Sequence, residues 1–141
     1  MVDKSLILRK ISETETYRKQ VEEFVGITLE TYKSDWKAQR IIERTLQMMI
    51  ESCADIANHI IAEGKMRIPV SYADTFRVLF ENGIIGPDLF ATMEKMAKFR
   101  NIVVHQYEEV DAEIVILILK KHVGDFDQFK EAILAYLKKV G

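Results

Sequence analysis

An all-α fold follows from three features of the sequence. Apolar residues recur at helical spacing along nearly the whole chain, turn-forming residues fall between those stretches, and no segment offers a partner strand for a sheet. Proline stands only at positions 69 and 87. At 141 residues, 48% of them hydrophobic and 30% charged, the chain is long enough to bury a core and is expected to form one domain over residues 1–141.

The first helix is expected from about residue 4 to 31. Ile7, Ile11, Tyr17, Val21, Phe24, Val25 and Leu29 fall within an arc of about 140° at helical pitch. A second long helix should run from about Asp35 to Glu63, with Ser34 as N-cap and Gly64 as stop. Its residues Ile42, Leu46, Met49, Cys53, Ile56 and Ile60 alternate spacings of four and three, which makes a seam of the coiled-coil kind. Joined by a short polar link, the two helices predict a long antiparallel hairpin.

Shorter helices follow. Ser71 and Asp74 form a capping-box-like start for a helix ending at Asn82-Gly83, and Pro87 suits the first turn of the next. That next helix carries Leu89, Met93, Met96, Arg100, Val103 and Tyr107 on one face, provided it persists to Tyr107. The run from Glu113 to Leu119 is rich in β-branched residues but has no strand to pair with, so it is read as a fully buried helix. Gly124 is expected to break the chain. Asp125 with Gln128 then starts a last helix bearing Phe126, Phe129, Ile133, Leu137 and Val140.

Charge and composition exclude several classes of function. The formal charge is -2 and the pI about 5.9, so no global basic field holds nucleic acid, and any such site is a local patch. No apolar run is long enough for a signal peptide or a membrane span, and a cytoplasmic protein is expected. The lone Cys53 sits among Met49, Ile50 and Ile56, where a small buried hydrophobe is a better account than a catalytic thiol. Cys53, His59 and His122 show no metal-ligand spacing, and neither a metal nor a cofactor is expected. His59 is one turn from Asp55, as an ordinary ion pair would be, and His122 follows two lysines near a helix end, where a cation is favourable.

The segment from Phe99 to Tyr107 stands apart. Arg100 occupies an apolar seam, where an unpartnered guanidinium is costly, so it requires an acid or a phosphate. His105 lies about 140° around the helix from Arg100, so the two flank a groove rather than stack. Asn101 adds a neutral donor and acceptor. Each residue also has a structural account: Arg100 paired to an acid on another helix, His105 at a helix C-terminus, Tyr107 capping the core.

Arg100-Asn101-x-x-x-His105 resembles the R-x(4-6)-H signature of HEPN nucleases, and its extension to Tyr107 resembles the HepT toxins in particular. The long N-terminal helices, including Glu43-Arg44-Thr45-Leu46-Gln47, agree in kind, so the likeness covers essentially the whole chain. It implies a HEPN-type helical bundle and a metal-independent endoribonuclease toxin cleaving tRNA or mRNA. Arg100 and His105 would be catalytic and Asn101 supporting, in a groove shared across a homodimer. It also implies a minimal nucleotidyltransferase antitoxin, of the MntA kind, that adenylylates Tyr107. The chemistry suits the residue types: a neutral histidine moves protons near pH 7, and an arginine grips a phosphate bidentately. Lys95 and Lys98 stand just upstream, either as part of a phosphate-binding patch or as solvated surface. The competing account is a non-catalytic helical module that docks a nucleotidyltransferase or a nucleotide in the same groove; a structural dimer is the third.

Overall fold

In the computed structural model, which describes residues 2–141, the helices run in the order α1 (Lys4–Glu22), α2 (Leu29–Ser34), α3 (Trp36–Glu63), α4 (Tyr72–Glu81) and α5 (Pro87–His105). A 3-10 turn (Tyr107–Glu109), α6 (Ala112–Leu117), a π-helical turn (Ile118–His122) and α7 (Gly124–Val140) complete the chain. No strand occurs among the described residues.

α3 is the axis of the bundle. Its seam residues Ile42, Leu46, Met49, Cys53, Ile56 and Ile60 are all 0–1% exposed. Ile50, Ala54, Ala57 and Ile61 are buried beside them, because α3 packs on α1 along one side and on α4 and α5 along the other. A helix flanked twice needs a wider apolar face than a single seam. Burial also pushes the Cys53 thiol pKa up, away from nucleophilic use. At the far side Phe76 of α4 meets Phe129 of α7 edge to face, with ring centroids 5.8 Å apart.

The hairpin of α1 and α3 forms as expected, but the first helix does not reach residue 31. It ends at Glu22, and Thr28 caps a separate short helix by accepting from the Thr31 amide. A threonine that satisfies an amide locally competes with continuing a helix, and Gly26 ahead of it weakens a continuous helix further. α2 then lies against α3, anchored by the buried Tyr32 hydroxyl, which donates to Glu43 Oε2 at 2.7 Å. Burial first, and the Glu43 carboxylate second, hold that phenol protonated far above its ordinary range. Asp35, not Ser34, caps α3, accepting from the amides of Lys37 and Ala38.

α3 and α4 end in the same way. Met66 N donates to Ile61 O and Lys65 N to Ala62 O; Ile84 N donates to Leu79 O and Gly83 N to Phe80 O. Both closures need a left-handed residue. α4 supplies Gly83 at φ 72°, whereas α3 uses Lys65 at φ 53°, so the left-handed residue is the one after Gly64.

The run from Glu113 to Leu119 is helical but not fully buried. Val115, Ile118 and Leu119 face the core, while Ile114 and Leu117 are each 43% exposed. Nor does Gly124 break the chain. Val123 keeps right-handed helical angles and the π turn passes directly into α7. Asp125 is therefore not a cap; its carboxylate lies 2.7 Å from His122 Nδ1 and receives Gln128 Nε2 at 3.5 Å. Asp55 faces Lys10 at 3.7 Å rather than His59. No helix among the described residues is long and apolar enough to cross a membrane.

Candidate active site around Arg100

α5 starts at Pro87 and buries Met93, Met96, Phe99 and Val103, which fixes the direction in which Arg100 leaves it. The guanidinium, whose side chain is 14% exposed, crosses to α3, where Nε donates to Glu51 Oε2 at 2.8 Å. Nη1 donates to the side-chain oxygen Oδ1 of Asn101 at 3.1 Å. The flat face of the group lies on the Tyr72 ring, 4.1 Å from its centroid. Glu51 is itself held by Gln47 Nε2 at 3.0 Å.

Thus the acid that an arginine on an apolar seam requires is Glu51. The arrangement orients the guanidinium without exhausting it: one edge is tied to a carboxylate and one nitrogen to a neutral amide. Nη2 carries no protein partner among the described residues. An arginine held by a ring face and one edge keeps its remaining donors for an anion.

His105 is the last residue of α5 and is exposed, without a hydrogen bond or ion pair among the described residues. It stands about 140° around the helix from Arg100. The chain does not bring the two side chains together; it presents them on adjoining sides of one helix end. Lys98 and Ile102 share the His105 side. There they border an apolar groove of about 450 Å³, lined also by Phe99, Val110, Ile114 and Leu117. Lys95 and Lys98 stand on its rim.

Tyr107 departs from the helical expectation. α5 stops at His105, Gln106 takes φ -141°, and Tyr107 opens the 3-10 turn. The phenol therefore does not return to the Arg100 face. It is 56% exposed, over Arg40 of α3, whose Cζ lies 5.7 Å from the ring centroid. Tyr32, Gln39, Glu43 and Glu108 line the small cleft beside it.

Arg40, Glu51 and Tyr72 had no mark of function in the sequence, and Gln47 stood only within a stretch that agrees in kind with the family. The unmet charge of Arg100 announced that an acid exists, but only packing selects Glu51, 49 positions away. Among the described residues no three His, Cys, Asp or Glu side chains gather as a metal-binding group.

Residues 14–133 match the family model described as "Ribonuclease HepT-like". The chain is 35% identical over 130 residues to the mRNA nuclease HepT of Shewanella oneidensis, covering 92% of this chain and 97% of that one. It is 26% identical over 121 residues to the tRNA nuclease HepT of Aphanizomenon flos-aquae, covering 86% of this chain and 82% of that one. Among solved structures, the tri-AMPylated Shewanella oneidensis HEPN toxin in complex with its MNT antitoxin superposes with a TM-score of 0.85 at 35% identity. That match covers 96% of this chain and 99% of the other.

Proposed function

We propose, from the premise that this chain belongs to the ribonuclease HepT-like family and is an endoribonuclease, that Arg100 and His105 carry out the cleavage. The observation that carries the assignment is the state of Arg100, gripped by Glu51 and Tyr72 with Nη2 still unspent. That donor edge binds the scissile phosphate and stabilises the charge that grows on its oxygens. His105 moves the protons, first from the ribose 2'-hydroxyl and then to the departing 5'-oxygen. Bond formation by the 2'-oxygen on phosphorus and loss of the 5'-oxygen leave a 2',3'-cyclic phosphate and a 5'-hydroxyl. Asn101 steadies Nη1. No metal takes part, and the substrate is tRNA or mRNA in the cytoplasm.

The separation of the two side chains around α5 is what a shared site requires. A second copy seated on the apolar groove, where Ile102, Ile114 and Leu117 are partly open to solvent, would meet the side of α5 that carries His105. A homodimer of these 141-residue domains then sets the histidine of one copy near the arginine of the other.

Control acts at Tyr107. The homologous toxin of Shewanella oneidensis has been solved tri-AMPylated with an MNT antitoxin. Here a minimal nucleotidyltransferase of the MntA kind would find Tyr107 accessible on its 3-10 turn. A phosphodiester formed on that phenol falls beside Arg40, not beside Arg100 as helical spacing implied. Its nucleoside then extends over the mouth of the site.

Incubating the unmodified protein with total RNA and tRNA tests the reaction: EDTA-resistant cleavage with cyclic-phosphate ends is expected, and DNA is left intact. A 5'-phosphate product rejects the mechanism. Co-expression with the nucleotidyltransferase is expected to add nucleotide mass to the Tyr107 peptide, and Tyr107→Phe is expected to stay active under co-expression. An unmodified Tyr107 in a silenced enzyme rejects the control.

A further inference from the structure

Trp36, Arg40 and Arg44 lie on one outward stripe of α3, and none is used by the chemistry above. At helical pitch the three fall within about 80° of arc, and Gln47 and Glu51 continue the same stripe. The stripe therefore runs from Trp36 past Arg40, which carries Tyr107, and Arg44 to Glu51, which holds Arg100. Arg44 is exposed and makes no hydrogen bond or ion pair among the described residues. Arg40 is 55% exposed and, besides the Tyr107 ring, meets Glu43 at 3.7 Å, a carboxylate already engaged by Tyr32 at 2.7 Å. Trp36 is 64% exposed, with Lys37 Nζ 5.8 Å from its ring.

An exposed indole and two underused arginines in line with the proposed phosphate-binding residue need a common account. The local charge supplies it. From Lys33 to Arg44 the chain has four cations, Lys33, Lys37, Arg40 and Arg44, against two carboxylates. Of these, Asp35 is consumed as a helix cap and Glu43 is buried. In a protein of net charge -2 this is a concentrated cationic strip, complementary to a polyanion. Arg40 and Arg44 are one turn apart, about 6 Å along the axis, comparable with the step between successive phosphates of a strand. A flat exposed indole at the end of such a strip stacks on a base of any identity.

We propose that the Trp36–Arg40–Arg44 stripe is a track for single-stranded RNA flanking the scissile phosphate. The arginines hold two neighbouring phosphates and Trp36 stacks on an unpaired base beyond them. The inference rests on the ribonuclease assignment of Arg100 and His105. It adds where the rest of the strand lies, and it gives a modified Tyr107 a second consequence. A phosphodiester at Tyr107 would occupy Arg40 and cut the track between Trp36 and Arg100.

Trp36 is the chain's one tryptophan, so fluorescence excited selectively in tryptophan, beyond the tyrosine absorption, reports on this position alone. Titrating the His105→Ala protein with a short unstructured RNA is expected to quench Trp36, and duplex RNA of the same sequence to quench it far less. In cleavage assays of the otherwise unaltered enzyme, Arg40→Gln/Arg44→Gln is expected to raise KM about tenfold or more, with kcat nearly unchanged. The slope of log KM against log salt should fall by about 1.4, or 0.7 per lost phosphate contact. Trp36→Ala should raise KM about fivefold or more, and Trp36→Phe should recover most of that. Unquenched fluorescence at saturating RNA overturns the track, as does an unchanged salt slope in an enzyme that cleaves. A double variant that escapes only the nucleotidyltransferase also overturns it, because the stripe would then be a protein-docking face. A parental protein that cleaves nothing defeats the ribonuclease assignment instead, while Trp36 quenching still decides the track.

Discussion

Arg67 and Arg100 each reach across to carboxylates on neighbouring elements, yet they are left in opposite states. Arg67, between α3 and α4, donates Nε and Nη2 to Glu81 and Nη1 and Nη2 to Asp74, all at 2.7–3.1 Å. Two carboxylates neutralise it more than once over, and four of its five N–H donors are engaged. Arg100 has one carboxylate, one neutral oxygen and a ring face. Arg67 is also the more exposed, at 44% against 14% for Arg100. Accessibility is therefore not what the proposed role of Arg100 rests on. It rests on unspent hydrogen-bonding capacity in a fixed orientation, because binding an anion at a preset guanidinium costs little reorganisation.

Breaking each arginine gives the largest contrast. Arg100→Ala is expected to lower kcat by at least about a hundredfold, the order found when one charge-stabilising donor is removed. Circular dichroism should show an unchanged helix content. Arg67→Ala should leave kcat and KM as they are and lower the melting temperature, since it unties the loop from both Asp74 and Glu81. Equal activity loss in the two variants would erase the distinction.

Glu51→Gln sharpens the contrast from the other side. The amide keeps the shape but gives up the charge that fixes Nε. We expect kcat to fall roughly ten- to a hundredfold, as misplacement of a reacting group by about 1 Å does. KM should move less. Steady-state cleavage across a substrate series separates the two, and an unaltered kcat would show that Tyr72 and Asn101 suffice to position Arg100.

The Arg67 cluster has its own signature in acid. Arg67, and then the Val70 amide, hold the Asp74 carboxyl down to about 2, from 3.8. A carboxyl depressed in the folded state stabilises fully above its unfolded value, so this contribution is intact above about pH 4 and is lost as the pH falls through about 2. Asp74→Asn should unfold at lower urea near neutrality and converge on the parental protein towards pH 2. Parallel urea midpoints over that window would remove Asp74 from the acid response.

The smallest expected effect lies at the end of α3, where Lys65 takes the left-handed place that Gly83 takes in α4. Lys65→Gly should raise the unfolding free energy by about 0.5–1 kcal/mol, the strain relieved less the added freedom of the unfolded chain. Equilibrium urea unfolding resolves a change of that size, and cleavage should be unaffected.

Where one local preference is strong, the sequence was sufficient. It determined the buried seam of α3, the Ser71 cap of α4, Pro87 at the start of α5 and the exposure of Arg100 to an unmet charge, because periodicity and capping act within a few residues. It misjudged the chain where two local preferences are nearly balanced. The first helical stretch ends at Glu22 and Thr28 starts a separate one, the β-branched Val103-Val104 pair is followed by a helix end at His105, and Gly124 stays helical. Tertiary structure alone decided the rest. Glu51, Tyr72 and Arg40 are far from residues 100–107 in the chain, and no periodicity ties them to Arg100 or Tyr107. Arg100 sits on the Tyr72 ring only because α4 and α5 pack side by side against α3. The demand for a counter-charge is a property of one residue and its burial; which residue answers it depends on how separate helices meet.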